Sequence, residues 1–201
     1  HLDQVEGNAS VQSGPSGTQV VYFDGNDRLL TSYNFEATLK ESGYTAFAIS
    51  RYATDNTTYK QRVITSEGRN WIFGQHGNRN RRFYFEGWVD GGTTTSDTVF
   101  HLYTAVQTPN TANLDANGTW NGTNFATSPR TWTWMDGTAG AQNNTAQNDT
   151  NTAPAQIALG GSSTSESSIA EVGEMLIFGG LLSDADRQKI EGYLGWKWGI
   201  Y

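Results

Sequence analysis

The chain contains no cysteine, which excludes a disulfide scaffold, thiolate zinc sites and a cysteine nucleophile. It has no apolar run approaching the ~20 residues that a membrane-spanning helix needs, so no membrane insertion is expected. Charge is scarce too: Asp, Glu, Lys and Arg together make up 16% of the 201 residues. The 20 acidic side chains outnumber the 13 basic ones and leave a net charge of −7. Phosphate contacts need a surplus of Lys and Arg, so this balance argues against nucleic acid as a partner.

What is abundant is turn and strand material. Gly, Asn, Thr and Ser account for 79 of the 201 residues; they favour turns or tolerate strands and make poor helices. The 25 aromatic residues, 7 of them Trp, still supply a core. The length suits one domain. Strands are predicted at Thr18–Phe23, Tyr44–Arg51, Gln61–Thr65, Asn70–Gly74, Arg82–Val89, Thr98–Val106, Arg130–Met135, Ala155–Leu159 and Glu171–Phe178. Within Tyr44–Arg51 the alternation puts Phe47 and Ile49 on one face and Ala46, Ala48 and Ser50 on the other. Residues His1–Gly17 read as a polar lead-in to a domain over 18–201. From Thr108 to Pro154 the chain is rich in Asn and Thr, which reads as long surface loops around a central strand. One helix is expected. Ser183 caps it, Asp186 completes a capping box, Ile190, Leu194 and Trp198 recur every four residues, and Gly199 ends it.

The C-terminal run Ile169–Phe178, followed by Leu182–Leu194 and Trp196-Lys197-Trp198-Gly199, resembles the end of bacterial laminin-G-like domains of the concanavalin A-like lectin/glucanase superfamily. Other segments resemble the family in order. Val21–Gly25 is similar to its opening strand, Thr45–Ile49 to the second, and Phe100–Tyr103 to the central strand carrying a structural histidine, here His101. Met135-Asp136-Gly137 is similar to its Asp-Gly hairpin and Ile157–Gly161 to its penultimate strand. The resemblance implies an all-β, two-sheet antiparallel jelly-roll sandwich with one short C-terminal helix, agreeing with the strand and turn pattern. It implies an extracellular or surface-exposed protein. The function it points to is a non-catalytic binding or adhesion module for a glycan or polysaccharide. The alternatives are a structural subunit contacting neighbouring subunits of a surface layer, appendage or virion, and a polysaccharide-degrading enzyme on the same fold.

Catalysis is disfavoured by the residues themselves. A retaining glycosidase needs two carboxylates ~5 Å apart on one face. The nearest pair, Glu171 and Glu174, is three residues apart and is expected on opposite faces of its strand. Binding candidates are better supplied. Trp132 and Trp134 share one face of a strand and lie either in the core or on an exposed sheet face. Trp120 and Asn121 stand in a polar loop, and a ring there offers a sugar a flat apolar surface beside hydrogen-bonding amides. Arg79, Arg81 and Arg82 are the one concentration of positive charge; they suit an acidic polysaccharide or remain a solvated hairpin tip. No cofactor is required. Calcium is the one ion considered, because laminin-G-like relatives hold it at a loop rim through hard oxygen ligands. Its candidate ligands are Asp24, Asn26 and Asp27 in one turn and Asp136 in another, gathered from separate loops, unless these residues merely make turns.

Overall fold

A computed structural model describes residues 2–85, 87–91, 95–109, 131–143, 152–162 and 166–201. The strands are β1 (Leu2–Glu6), β2 (Ser10–Ser13), β3 (Gln19–Asp24), β4 (Arg28–Thr31), β5 (Tyr44–Tyr52), β6 (Ile64–Glu67) and β7 (Trp71–Phe73). They continue with β8 (Arg82–Phe85), β9 (Trp88–Gly91), β10 (His101–Gln107), β11 (Thr131–Met135), β12 (Thr138–Asn143), β13 (Gln156–Leu159) and β14 (Ile169–Gly179). The helices are α1 (Glu36–Ser42) and α2 (Asp184–Trp198). Two seven-stranded antiparallel sheets result: sheet A in the order β1-β4-β13-β6-β7-β8-β9, and sheet B in the order β12-β11-β10-β5-β14-β3-β2. This is the two-sheet jelly-roll sandwich expected from the sequence.

The core lies between the sheets. Phe23, Ala46, Ala48, Tyr52 and Tyr103 from sheet B meet Trp71, Phe73, Phe83, Phe85, Ile157 and Leu159 from sheet A. Trp71 stacks against Phe73 and Phe85 at centroid distances of 5.4 and 5.3 Å, the two phenylalanines lying 6.4 Å from each other. Its indole nitrogen donates to Tyr44 Oη at 2.9 Å, so the largest buried ring leaves no polar atom stranded.

β5 alternates as read, but both of its faces are buried. Ala46 and Ala48 enter the inter-sheet core, while Phe47 and Ile49 join Val20, Leu102, Leu194 and Trp198 in a second cluster beneath α2. That helix starts where the sequence placed it: Ser183 Oγ accepts from the Asp186 backbone amide at 3.1 Å, and Gly199 closes it in the left-handed conformation. Leu194 and Trp198 are buried and Ile190 half-buried.

Three features differ from expectation. The lead-in contributes β1 to sheet A and β2 to sheet B, so residues 2–13 are edge strands of both sheets. The stretch Arg82–Val89 is two strands, β8 and β9, paired as a hairpin. A second, seven-residue helix, α1, burying Leu39 precedes β5.

Candidate functional site

Among the described residues no helix packs on the outer face of sheet A, and one register row crosses that face. Leu30, Ala158, Thr65, Ile72, Tyr84 and Trp88 are neighbours in turn from β4 to β9. The first four are buried; Tyr84 is half-buried, and Trp88 is 42% exposed. Phe83 and Phe85 point into the core, so the pleat turns Arg82 and Tyr84 outward beside Trp88. The Arg82 guanidinium lies 4.1 Å from the Trp88 ring centroid. Tyr84 meets that ring edge-on at 5.2 Å and His76 lies against it at 5.7 Å.

A tight turn brings His76 and Arg82 together. Gly77 and Asn78 both take positive φ, +60° and +61°, and the Arg82 amide donates to the Gly74 carbonyl at 3.0 Å. A Cβ on Gly77 would stand 3.0 Å from an Arg82 terminal nitrogen, so glycine leaves the room the guanidinium uses. Glu166 reaches the group from across the sandwich edge, accepting from Arg62 and lying 3.1 Å from His76 Nε2. Burial pushes the His76 pKa down, against the pull of Glu166. Burial raises that of Glu166, but the His76 hydrogen bond and the Arg62 charge outweigh it and hold the carboxylate ionised.

The turn is anchored by a chain of polar contacts. Ser50 Oγ donates to Gln75, Gln75 to Asn80 and Asn80 to Asp97, at 2.8, 3.2 and 3.3 Å. Asp97 lies 3.0 Å from His101 Nε2, and His101 Nδ1 lies 2.6 Å from Asp136. Asp136 also accepts from the Leu102 amide at 2.8 Å. Burial lowers the His101 pKa, but its two carboxylate partners prevail and raise it overall. His101 is therefore a strut between loops. The chain ties β5, the 74–80 turn, β10 and the Asp136-Gly137 hairpin into one rigid end of the sandwich.

The three arginines have different fates. Arg79 is exposed at the turn. Arg81, at φ +55°, pairs with buried Asp90 at 2.7 Å. Asp90 also accepts from the Ala141 amide at 3.1 Å, which pins sheet A's edge to sheet B's. Arg82 stacks on an aromatic ring, that of Trp88. Trp132 and Trp134 share the outer face of β11, half-buried, with the Arg187 guanidinium of α2 4.0 Å from the Trp134 ring. Trp120 and Asn121 lie outside the described residues.

Of the calcium candidates, Asp24, Asn26 and Asp27 are together. Asp27 is buried and accepts from the Asn8 and Asp24 amides at 2.6 and 3.2 Å; Asp24 accepts from the Asn26 amide at 2.9 Å. Asp136 is at the same end of sheet B but four strand steps away, from β3 to β11, about 19 Å at the usual spacing. The two groups do not converge. Among the described residues no set of three or more His, Asp or Glu side chains is placed to hold a metal.

Glu171 and Glu174 correct an expectation. Val172 pairs with Ser50 and Glu174 with Ile49, so Gly173 is an extra residue in β14. This bulge turns both glutamates to the outer face of sheet B. Each is engaged there: Glu171 accepts from both sides of the Arg51 fork at 2.9 and 3.0 Å. Glu174 accepts from Lys197 at 2.7 Å and from the Trp198 indole at 3.1 Å.

No family model and no curated protein matches the chain. Solved structures do. Domain 4 of the extracellular GH43 arabinanase AbnA from Geobacillus stearothermophilus, in complex with arabinotriose, superposes with a TM-score of 0.62 at 13% identity. The match covers 92% of this chain and 82% of that one. The botulinum neurotoxin DC binding domain is similar both in complex with SialylT (TM-score 0.56) and with rat synaptotagmin II (0.58), at 12% identity. Each covers 95% of this chain, which spans 46% of theirs. At these identities the likeness shows a shared β-sandwich fold.

Proposed function

We propose that this domain is a non-catalytic, extracellular glycan-binding module of the laminin-G-like type, with its site on the outer face of sheet A around Trp88. One observation carries the reading: a large ring, 42% exposed, ends a row whose first four members are buried and is flanked by Arg82, Tyr84 and His76. An exposed ring gives a sugar an apolar face to stack on, and the fork and imidazole beside it fix orientation through hydrogen bonds. The mounting is rigid, so little ordering entropy is lost on binding. Structures that share the fold include domains solved with an arabinose oligosaccharide and with a sialylated ligand, which supports the same class of partner here. The reading needs no cation.

A glycan array spanning neutral, uronic and sulfated saccharides tests it, run with calcium and with a chelator. Binding in both conditions, lost in Trp88→Ala, is expected. Absence of binding to every saccharide at millimolar concentration would remove the glycan function. Release of reducing ends would overturn the non-catalytic one, and dependence on calcium would point instead to the Asp24–Asp27 turn.

A further inference from the structure

Arg82 differs from six other arginines among the described residues. Arg28, Arg51, Arg62, Arg69, Arg81 and Arg187 each form an ion pair with a carboxylate. Arg82 has no carboxylate partner among the described residues. Among the described residues, one of its terminal nitrogens approaches the His76 carbonyl, at 3.5 Å, and its Nε is buried with no hydrogen-bond acceptor. Beside it His76 Nδ1 is buried with no partner among the described residues. A buried donor left so, as the Arg82 Nε–H is, costs about 1–3 kcal/mol in desolvation, which a native protein recovers when something else supplies the acceptor.

From this geometry we infer that the Trp88 site takes an acidic saccharide, a pyranose carrying a carboxylate, with Arg82 receiving the carboxylate and Trp88 the sugar ring. The inference rests on the glycan reading above and narrows it to one ligand class. Ring and guanidinium already lie 4.1 Å apart, so one sugar unit can span both. A planar carboxylate matches the guanidinium fork, which stacking holds in place before the ligand arrives. Burial, followed by the charge of neighbouring Arg79, depresses the Arg82 pKa, as expected of a cation whose counter-charge is missing from its surroundings. The nearby Glu166 does not fill that role, since Arg62 and His76 occupy it.

Calorimetric titration of the whole domain with three probes tests this: a hexuronic acid trisaccharide, the same trisaccharide with its carboxyls reduced to alcohols, and acetate. The hexuronate should bind about tenfold or more tightly than either comparison probe, the worth of one charge-assisted hydrogen bond. Arg82→Gln should remove that advantage, and Arg82→Lys, which keeps the charge but not the fork, should restore only part of it. Lys189→Gln, a distant charge change on α2, should leave affinity within about twofold. Equal binding of the hexuronate and its reduced form would overturn the acidic-ligand inference while leaving the glycan function standing. Acetate binding as tightly as the hexuronate would overturn the saccharide part of the inference, and binding of none of the probes would overturn the acidic-saccharide inference, the glycan array alone deciding the wider function. A thermal scan accompanies each variant. If Arg82→Gln fails to fold, the probe ranking on the native domain and Arg82→Lys still decide the matter.

Discussion

The two sheets have seven strands each, yet their outer faces are finished in opposite ways. On sheet B, Phe47, Ile49 and Leu102 are capped by Leu194 and Trp198 of α2. Glutamates at that interface are paired, Glu171 with Arg51 and Glu174 with Lys197 and the Trp198 indole, while Thr104 Oγ1 and Glu191 Oε1 are buried with no hydrogen-bond partner among the described residues. On sheet A long polar side chains do the covering, as where Arg28 joins Glu67 and Arg62 joins Thr65. The row beneath is open at one end, where Trp88 emerges and Arg82 and His76 keep nitrogens unpartnered among the described residues. What sets the two faces apart is cover: α2 lies over the rings of sheet B, whereas on sheet A an exposed ring stands beside unpartnered nitrogens and is suited to a ligand.

The largest effect expected is on the closed face. Trp198→Ala should cost about 3–5 kcal/mol in urea unfolding, through lost packing and an unpaired Glu174. Gly173→Ala comes next, because a Cβ there would stand 2.3 Å from the Trp198 ring. Lifting the helix off the bulge should cost about 1–3 kcal/mol, read in the same way. If either substitution proved neutral, α2 would not be the lid described here.

Smaller still is the pH response, in which two histidines act with opposite sign. His101 has a folded pKa raised above its ordinary 6.5, so the stability it adds is full below pH 6.5 and lost as pH rises through the folded value. His76 has a folded pKa lowered from 6.5. Its contribution is present above pH 6.5 and lost as pH falls toward the folded value. Replacing His101 by Asn should therefore leave a domain whose stability falls on acidification from pH 7 to 5.5, measured as the urea midpoint at each pH. Replacing His76 by Asn should leave the reverse slope. The same slope in both variants would contradict the assignment of the two rings.

Much of the closed face was legible in sequence. The Ser183 cap, the Leu194 and Trp198 spacing and the Phe47/Ile49 alternation are local patterns tied to local geometry. The bulge was not: a four-residue window spaces Glu171 and Glu174 as on a regular strand, and only pairing with β5 shows that Gly173 is an extra residue. The open face was half legible. The arginine triplet marked the right turn, but the ladders decide that Arg81 serves Asp90 and Arg82 serves Trp88. Trp88 stood among the aromatics with nothing local to single it out, since exposure is a tertiary property. Gln75, Asn80 and Asp97, which hold the turn in place, carry no local signal at all.

The smallest expected change in stability belongs to Trp88→Ala. Truncating an exposed ring opens no internal cavity, so the unfolding free energy should move by less than about 1 kcal/mol. That makes it the most direct test of the contrast between the faces: titrate native and Trp88→Ala domains, matched for thermal midpoint, with the oligosaccharide that the native domain binds best. The account predicts that the native domain binds and the variant, still folded, does not. Equal affinity in the two would contradict it, and the open end of sheet A would then be no binding face.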